Sequence, residues 1–207
     1  IIAGRTYSAN FPVTSGAYDG SYNGKGDLIL TKFNASGTAL LGSTYVGGSG
    51  EDITNETAAE FGYGNLKHNY GDDARSEVIV DQSGDVYVAA STRSTDFPTT
   101  SSAIKTTLVT GDAQDGVVLK MNSSLTSLIW STYLGGDDND AAYVLSLDKT
   151  ESNLYVAGGT QSTNFPFTTG AYISSSQGGT DGFISKFLNS GSYPCLRSTY
   201  IGRNAYD

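Results

Sequence analysis

The sequence predicts an all-β protein assembled from copies of one antiparallel unit, and three observations carry that prediction. The first is internal repetition: Phe-Pro recurs at Phe11-Pro12, Phe97-Pro98 and Phe165-Pro166, and Ser-Thr-Tyr at Ser43-Thr44-Tyr45, Ser131-Thr132-Tyr133 and Ser198-Thr199-Tyr200. Both motifs advance by 67 or 68 residues from the second copy to the third and by 86 or 88 from the first to the second. The first copy therefore carries an insertion of about twenty residues, and the chain is read as a repeat before any single motif is interpreted. The second observation is alternation, because short apolar or β-branched runs with a period of two are bounded by turn residues. The third is composition: 26 Gly, 4 Pro and abundant Ser, Thr, Asn and Tyr suit short strands joined by tight turns, and no helical stripe emerges.

Taken in order, Ile1-Ile2-Ala3-Gly4 aligns with Tyr155-Val156-Ala157-Gly158 of the third copy, so the first copy opens on a second strand and lacks the first. Asp27 opens its third strand, Asn34-Ala35-Ser36-Gly37 makes the next turn, and Ser43-Thr44-Tyr45 lies in the fourth. An insertion over 49–75 follows. The second copy has predicted strands at 76–80, 86–90, 116–121 and 128–133, with Gln82-Ser83-Gly84 turning the first into the second. The third has them at 143–147, 154–158, 183–187 and 196–200, with Asn189-Ser190-Gly191 between the last two.

Four consecutive strands with short links form a meander, and meanders at a fixed period are the blades of a β-propeller, whereas solenoid coils are usually shorter and hold fewer strands. The expected blades run over about 1–48, 76–134 and 141–201, with 202–207 leading to a next one. Closed propellers have about four to eight four-stranded blades. Three antiparallel blades, the first incomplete, are thus expected to be an excerpt of a larger ring, with apolar faces and a strand edge left open.

The residues that carry this pattern also carry a resemblance. Ser131-Thr132-Tyr133-Leu134-Gly135-Gly136, Leu154-Tyr155-Val156-Ala157-Gly158, Asn164-Phe165-Pro166, Gly170-Ala171-Tyr172 and Asp181-Gly182-Phe183-Ile184-Ser185-Lys186 together resemble the bacterial β-propeller repeat family abbreviated SBBP. The resemblance covers nearly the whole chain outside the insertion. It implies a propeller scaffold from a large secreted or cell-surface bacterial protein, and it implies nothing about a ligand.

Charge narrows the partners. With 12 Lys and Arg against 21 Asp and Glu, the net charge of −9 disfavours a nucleic-acid backbone or an anionic membrane surface. The apolar runs are too short to insert in a bilayer. The single cysteine, Cys195, cannot form an internal disulfide, which leaves packing to hold the fold.

Residues present at the same place in every copy are read as scaffold, because a binding or catalytic site needs one asymmetric arrangement. Asp27, Asp115 and Asp181 each stand five residues before a lysine and are expected to accept backbone N–H bonds where loop becomes strand. Tyr45, Tyr133 and Tyr200 are expected to pack between blades with their hydroxyls bonded at the rim. Phe11, Phe97 and Phe165, each followed by Pro, are expected to pin the long loop after the second strand.

Departures from the repeat are the candidate sites. The insertion interleaves Phe61, Tyr63, His68 and Tyr70 with Gly, Asn and acids, a set suited to stacking on a sugar or peptide, although the preferred reading is that Phe61, Leu66 and Tyr70 anchor the loop on the propeller. Asp137, Asp138 and Asp140, with Glu51 and Asp52 in the equivalent link, offer hard oxygen ligands for Ca²⁺ but lack EF-hand spacing, and a solvated acidic turn is the preferred reading. Meander parity sends the long loops and the insertion to one end, which makes that end the expected contact face. With one histidine, no Ser-His-Asp spacing and no Gly-x-Ser-x-Gly elbow, no enzyme and no cofactor are expected. The expected function is a non-catalytic extracellular scaffold and interaction module, with roles such as adhesion. The alternatives are a glycan-binding propeller that uses the insertion and, less favoured, a propeller hydrolase.

Overall fold

The computed structural model describes residues 1–55, 74–108 and 114–204. Among these, eleven strands and no helix form three antiparallel sheets. Sheet one holds β1 (Ile2–Thr6), β2 (Asp27–Phe33) and β3 (Leu40–Val46). Sheet two holds β4 (Glu77–Val80), β5 (Val86–Thr92), β6 (Asp115–Met121) and β7 (Leu128–Leu134). Sheet three holds β8 (Asp140–Leu147), β9 (Asn153–Thr160), β10 (Asp181–Leu188) and β11 (Cys195–Ile201). Each is a meander in sequence order, and none closes on itself as a barrel.

Local chemistry sets the turns. Asn34 Oδ1 accepts the N–H groups of Thr38 and Ala39, Asn122 Oδ1 those of Thr126 and Ser127, and Asp148 Oδ1 that of Ser152. These side chains replace the backbone partner that a reversing chain loses. The last two strands of every sheet share one irregularity: the register slips after Lys32, Lys120 and Lys186, leaving Leu41, Ile129 and Leu196 as the extra residue. A bulge at a fixed place in three sheets is a designed bend.

The cores explain the burial pattern. Leu28 and Leu30 of sheet one pack with Val86, Val88, Leu119 and Met121 of sheet two. The opposite face of sheet two gives Tyr87, Ala89, Val118 and Trp130 to a second core with Val156, Phe183 and Phe187 of sheet three. Covered on both faces, β5 and β6 are buried at every position, whereas β10 alternates with Ile184 exposed. Strand β8 starts at Asp140, ahead of the predicted run at 143, because a bulge at Tyr143 interrupts its alternation.

Parity holds in the topology. The turns at 34–39, 81–85, 122–127, 148–152 and 189–194 lie at one end of the sheets. The connections 7–26, 93–114 and 161–180 and the links that follow β3 and β7 leave from the other.

Candidate functional site

At the loop-bearing end, each sheet carries the same tyrosine clamp. Tyr45 Oη donates to Ser8 O at 2.7 Å and accepts Phe11 N–H at 2.9 Å. Tyr133 Oη donates to Ser94 O at 2.6 Å and accepts Phe97 N–H at 2.9 Å. Tyr200 Oη donates to Ser162 O at 3.0 Å and accepts Phe165 N–H at 2.8 Å. The phenylalanine ring lies edge-on to its tyrosine in all three, with centroids 6.2, 6.2 and 6.0 Å apart. One side chain therefore fixes both the entry of the Phe-Pro loop and its aromatic anchor, and Tyr133 and Tyr200 belong to the two inter-sheet cores.

Between neighbouring sheets lie buried acids. In the junction of sheets two and three, Asp115 opens β6 and Asp140 opens β8, on either side of the Gly135-Gly136 link. A Cβ on Gly135 would stand 2.5 Å from Asp115 Oδ1 and 2.5 Å from Asp140 Oδ2, so only glycine lets the two carboxyl groups converge. Asp140 Oδ2 accepts Gly136 N–H at 2.7 Å and Ser162 Oγ–H at 2.7 Å. The ammonium of Lys105 lies 2.6 Å from Asp115 Oδ2 and donates to Gly136 O at 2.8 Å and Gly135 O at 3.2 Å. Asp115 thus takes an ammonium where Asp27 and Asp181 take the backbone N–H of Asn23 and Gln177. Burial pushes the Asp140 carboxyl up to about 7, and pushes Asp115 up to about 6 against the opposing pull of Lys105.

The junction of sheets one and two repeats this plan. Asp52 Oδ2 accepts Gly48 N–H at 2.9 Å, and its Oδ1 accepts the hydroxyls of Ser94, at 2.9 Å, and Thr92. A Cβ on Gly47 would meet Asp52 Oδ2 at 2.5 Å and Asp27 Oδ1 at 3.0 Å. Burial pushes Asp52 up to about 7 and raises Asp27 as well. Sequence reading placed Asp27 with the scaffold and Asp52 with a surface turn, and so missed their meeting. The shared spacing of Gly47-Gly48 to Asp52 and of Gly135-Gly136 to Asp140 is the signal that could have found it.

The other expected sites fall differently. Phe61, Tyr63, His68 and Tyr70 lie outside the described residues. Asp137 accepts Thr163 N–H and Oγ–H at 3.1 and 3.2 Å, Asp138 accepts Asn139 N–H at 2.8 Å, and Asp140 turns into the junction. The three carboxylates therefore go to separate partners. Among the described residues no group of three acid, histidine or cysteine side chains surrounds one metal position. Cys195 is half-buried, and burial pushes its thiol up to about 11, which keeps it protonated and a weak nucleophile.

A cleft of about 450 Å³ opens where β1, the approach to β4, and β8 meet, lined by Arg5, Ile53, Arg75, Glu77 and Tyr143 among others. The Arg75 guanidinium sits 5.4 Å from the Tyr143 ring centroid, and Tyr143 Oη donates to Asn55 Oδ1 at 3.2 Å. The bulge in β8 is what turns Tyr143 out of the strand's alternation towards this partner.

No family model matches the chain, and no curated protein matches it.

Proposed function

We propose that the chain is an arc of an extracellular bacterial β-propeller, working as a non-catalytic scaffold whose loop-bearing end meets a partner protein, adhesion being one such role. The observation that carries the reading is the shared plan of the three sheets: successive meanders, each burying a face against the next, with the strands that flank the long connections ending on one side. The first strands β4 and β8 lie beside each other, as strands lining a common axis do. The acids support a scaffold over a catalyst. Asp27, Asp52, Asp115 and Asp140 are all 1 % exposed or less and bonded to links and loops of the fold itself, closed to a substrate from solution.

The test is binding. Tyr63, His68 and Tyr70 are changed together to Ala, and the protein is titrated against bacterial and host surface proteins and printed on a glycan array. Loss of protein binding with a melting temperature within about 2 °C of the parent supports the contact face. Binding that survives while stability falls overturns it. Glycan binding that depends on the same three residues replaces the scaffold reading with a lectin-like one, and turnover on a glycosidase and esterase panel replaces it with a hydrolase.

A further inference from the structure

We propose that the junction of sheets one and two is a binding site for one hard divalent cation of the calcium class, held by Asp27 and Asp52 with main-chain oxygens of the Gly47-Gly48 link. The two junctions are built on one plan. Every part of one has its counterpart in the other: Asp27 with Asp115, Asp52 with Asp140, Gly47-Gly48 with Gly135-Gly136, and the hydroxyls of Ser94 and Ser162. The exception, among the described residues, is the cation. Tyr133 N–H donates to Lys105 O at 3.1 Å and Tyr45 N–H donates to Asp19 O at 3.1 Å, which makes Asp19 the positional equivalent of Lys105.

Where sheets two and three meet, the lysine ammonium occupies a ready-made cation position formed by a carboxylate and two glycine carbonyls. Where sheets one and two meet, the loop place of the lysine holds an acid, Asp19, and Asp27 Oδ2 is met by the Asn23 N–H instead of an ammonium. The Asp19 carboxylate turns away to Ser21 N–H, at 2.8 Å, and to the Asn23 amide. The charged group that acts most on Asp27 is Asp19, and on Asp52 it is Asp27, so each acid has another acid for its neighbour.

A second observation points to the ligand. Asp27 is 0 % exposed, its Oδ2 is engaged by Asn23 N–H, and its Oδ1 has no hydrogen-bond partner although it is directed at the Gly47 side that Asp52 Oδ2 also faces. A buried carboxylate oxygen with no partner is costly and calls for a water, a proton or an ion, and at Asp27 a second carboxylate faces the same side. Two carboxylates balance a charge of two, and donors that are all oxygen select a hard ion. Ca²⁺ fits an irregular set of carboxylates and carbonyls better than Mg²⁺, which demands a near-octahedral shell and keeps its waters. This site is separate from Asp137 and Asp138, and it stands whether or not the contact face proposed above binds a partner.

The experiment uses the full chain stripped with chelator and dialysed, followed by thermal unfolding and calorimetric titration with CaCl₂, with MgCl₂ and NaCl as controls. The expected result is one bound Ca²⁺ per chain and a rise in Tm of roughly 5–10 °C at about 100-fold excess over Kd. Asp27→Asn should lose the response. Asp19→Lys, which places an ammonium where the neighbouring junction has one, should raise Tm in chelator and also abolish the response. Asp137→Asn should respond like the parent. No Ca²⁺ response in the parent, or a response that persists in both Asp27→Asn and Asp19→Lys, overturns the proposal. So does a stabilisation on lowering the pH that fully substitutes for Ca²⁺ with no ion bound at pH 8, because a shared proton then fills the junction.

Discussion

Removing one oxygen from the clamp of the middle sheet should cost far more than the same change in the first sheet. Tyr133 is fully buried, and its hydroxyl joins Ser94 O to Phe97 N–H, with Ser94 0 % and Phe97 3 % exposed. In Tyr133→Phe both groups lose their partner, and their burial denies them water. An unsatisfied buried polar group costs about 1–3 kcal/mol, so the pair implies roughly 2–5 kcal/mol. For a chain of this length each kcal/mol moves Tm by about 2–4 °C, which gives a fall of roughly 5–15 °C. The matching bonds of Tyr45 are as short, but Ser8 and Phe11 are only half-buried. Water can replace the hydroxyl there, and Tyr45→Phe should cost about 0.5–1.5 kcal/mol. The assay is urea unfolding followed through Trp130, the single tryptophan, buried and stacked 4.8 Å from Tyr193 against sheet three. The m-value should be unchanged in both variants, because neither alters the surface exposed on unfolding. A Tyr133→Phe loss within about 0.5 kcal/mol of the Tyr45→Phe loss would show that burial does not set the cost, since the two differ only in burial of the partners.

Other outcomes follow from the same geometry. Asp52 and Asp140 are each raised from 3.8 to about 7 by burial, so the folded state holds protons that the unfolded chain has released. Their contribution to stability is complete below about pH 4 and is lost as pH rises through about 7. In chelator, the urea midpoint should therefore fall from pH 4.5 to pH 8, and Asp140→Asn should flatten part of the slope; a flat parent profile would contradict this. Asp81, held low by Asp85 N–H, Tyr87 and Lys120, acts in the opposite sense and only at more acid pH. Gly158→Ala should abolish folding or cost at least about 4 kcal/mol, because its Cβ would lie 1.8 Å from Ala141 O, while Gly4→Ala, which meets only Ile29 Cδ1 at 3.9 Å, should stay within about 0.5 kcal/mol in denaturant melts. Ile2, Phe33, Ile184 and Ile201 are exposed on the outer sheets, so the isolated 207-residue chain should self-associate in sedimentation. A monodisperse monomer with one sharp transition would refute the open-arc reading.

Local features were legible in the amino-acid order alone. Strand alternation and turn chemistry act over two to six residues, which is why the predicted runs at 86–90 and 116–121 coincide so nearly with β5 and β6 and why three, four and four strands could be counted beforehand. The repeat also identified Tyr133, Phe97 and Asp115 as scaffold positions without showing what they touch. Tertiary structure alone decided which faces are covered: the same alternation writes β6 and β10, yet β6 is buried throughout because a sheet lies on each side of it and β10 is not. It also decided that Gly47 and Gly135, which read as turn residues, are openings through which buried carboxylates meet. Asp27 and Asp52 stand in different segments and are joined only when two sheets stack. Charge at close range depends on distances set by packing, so the difference between Lys105 and Asp19 acquired its meaning only in three dimensions.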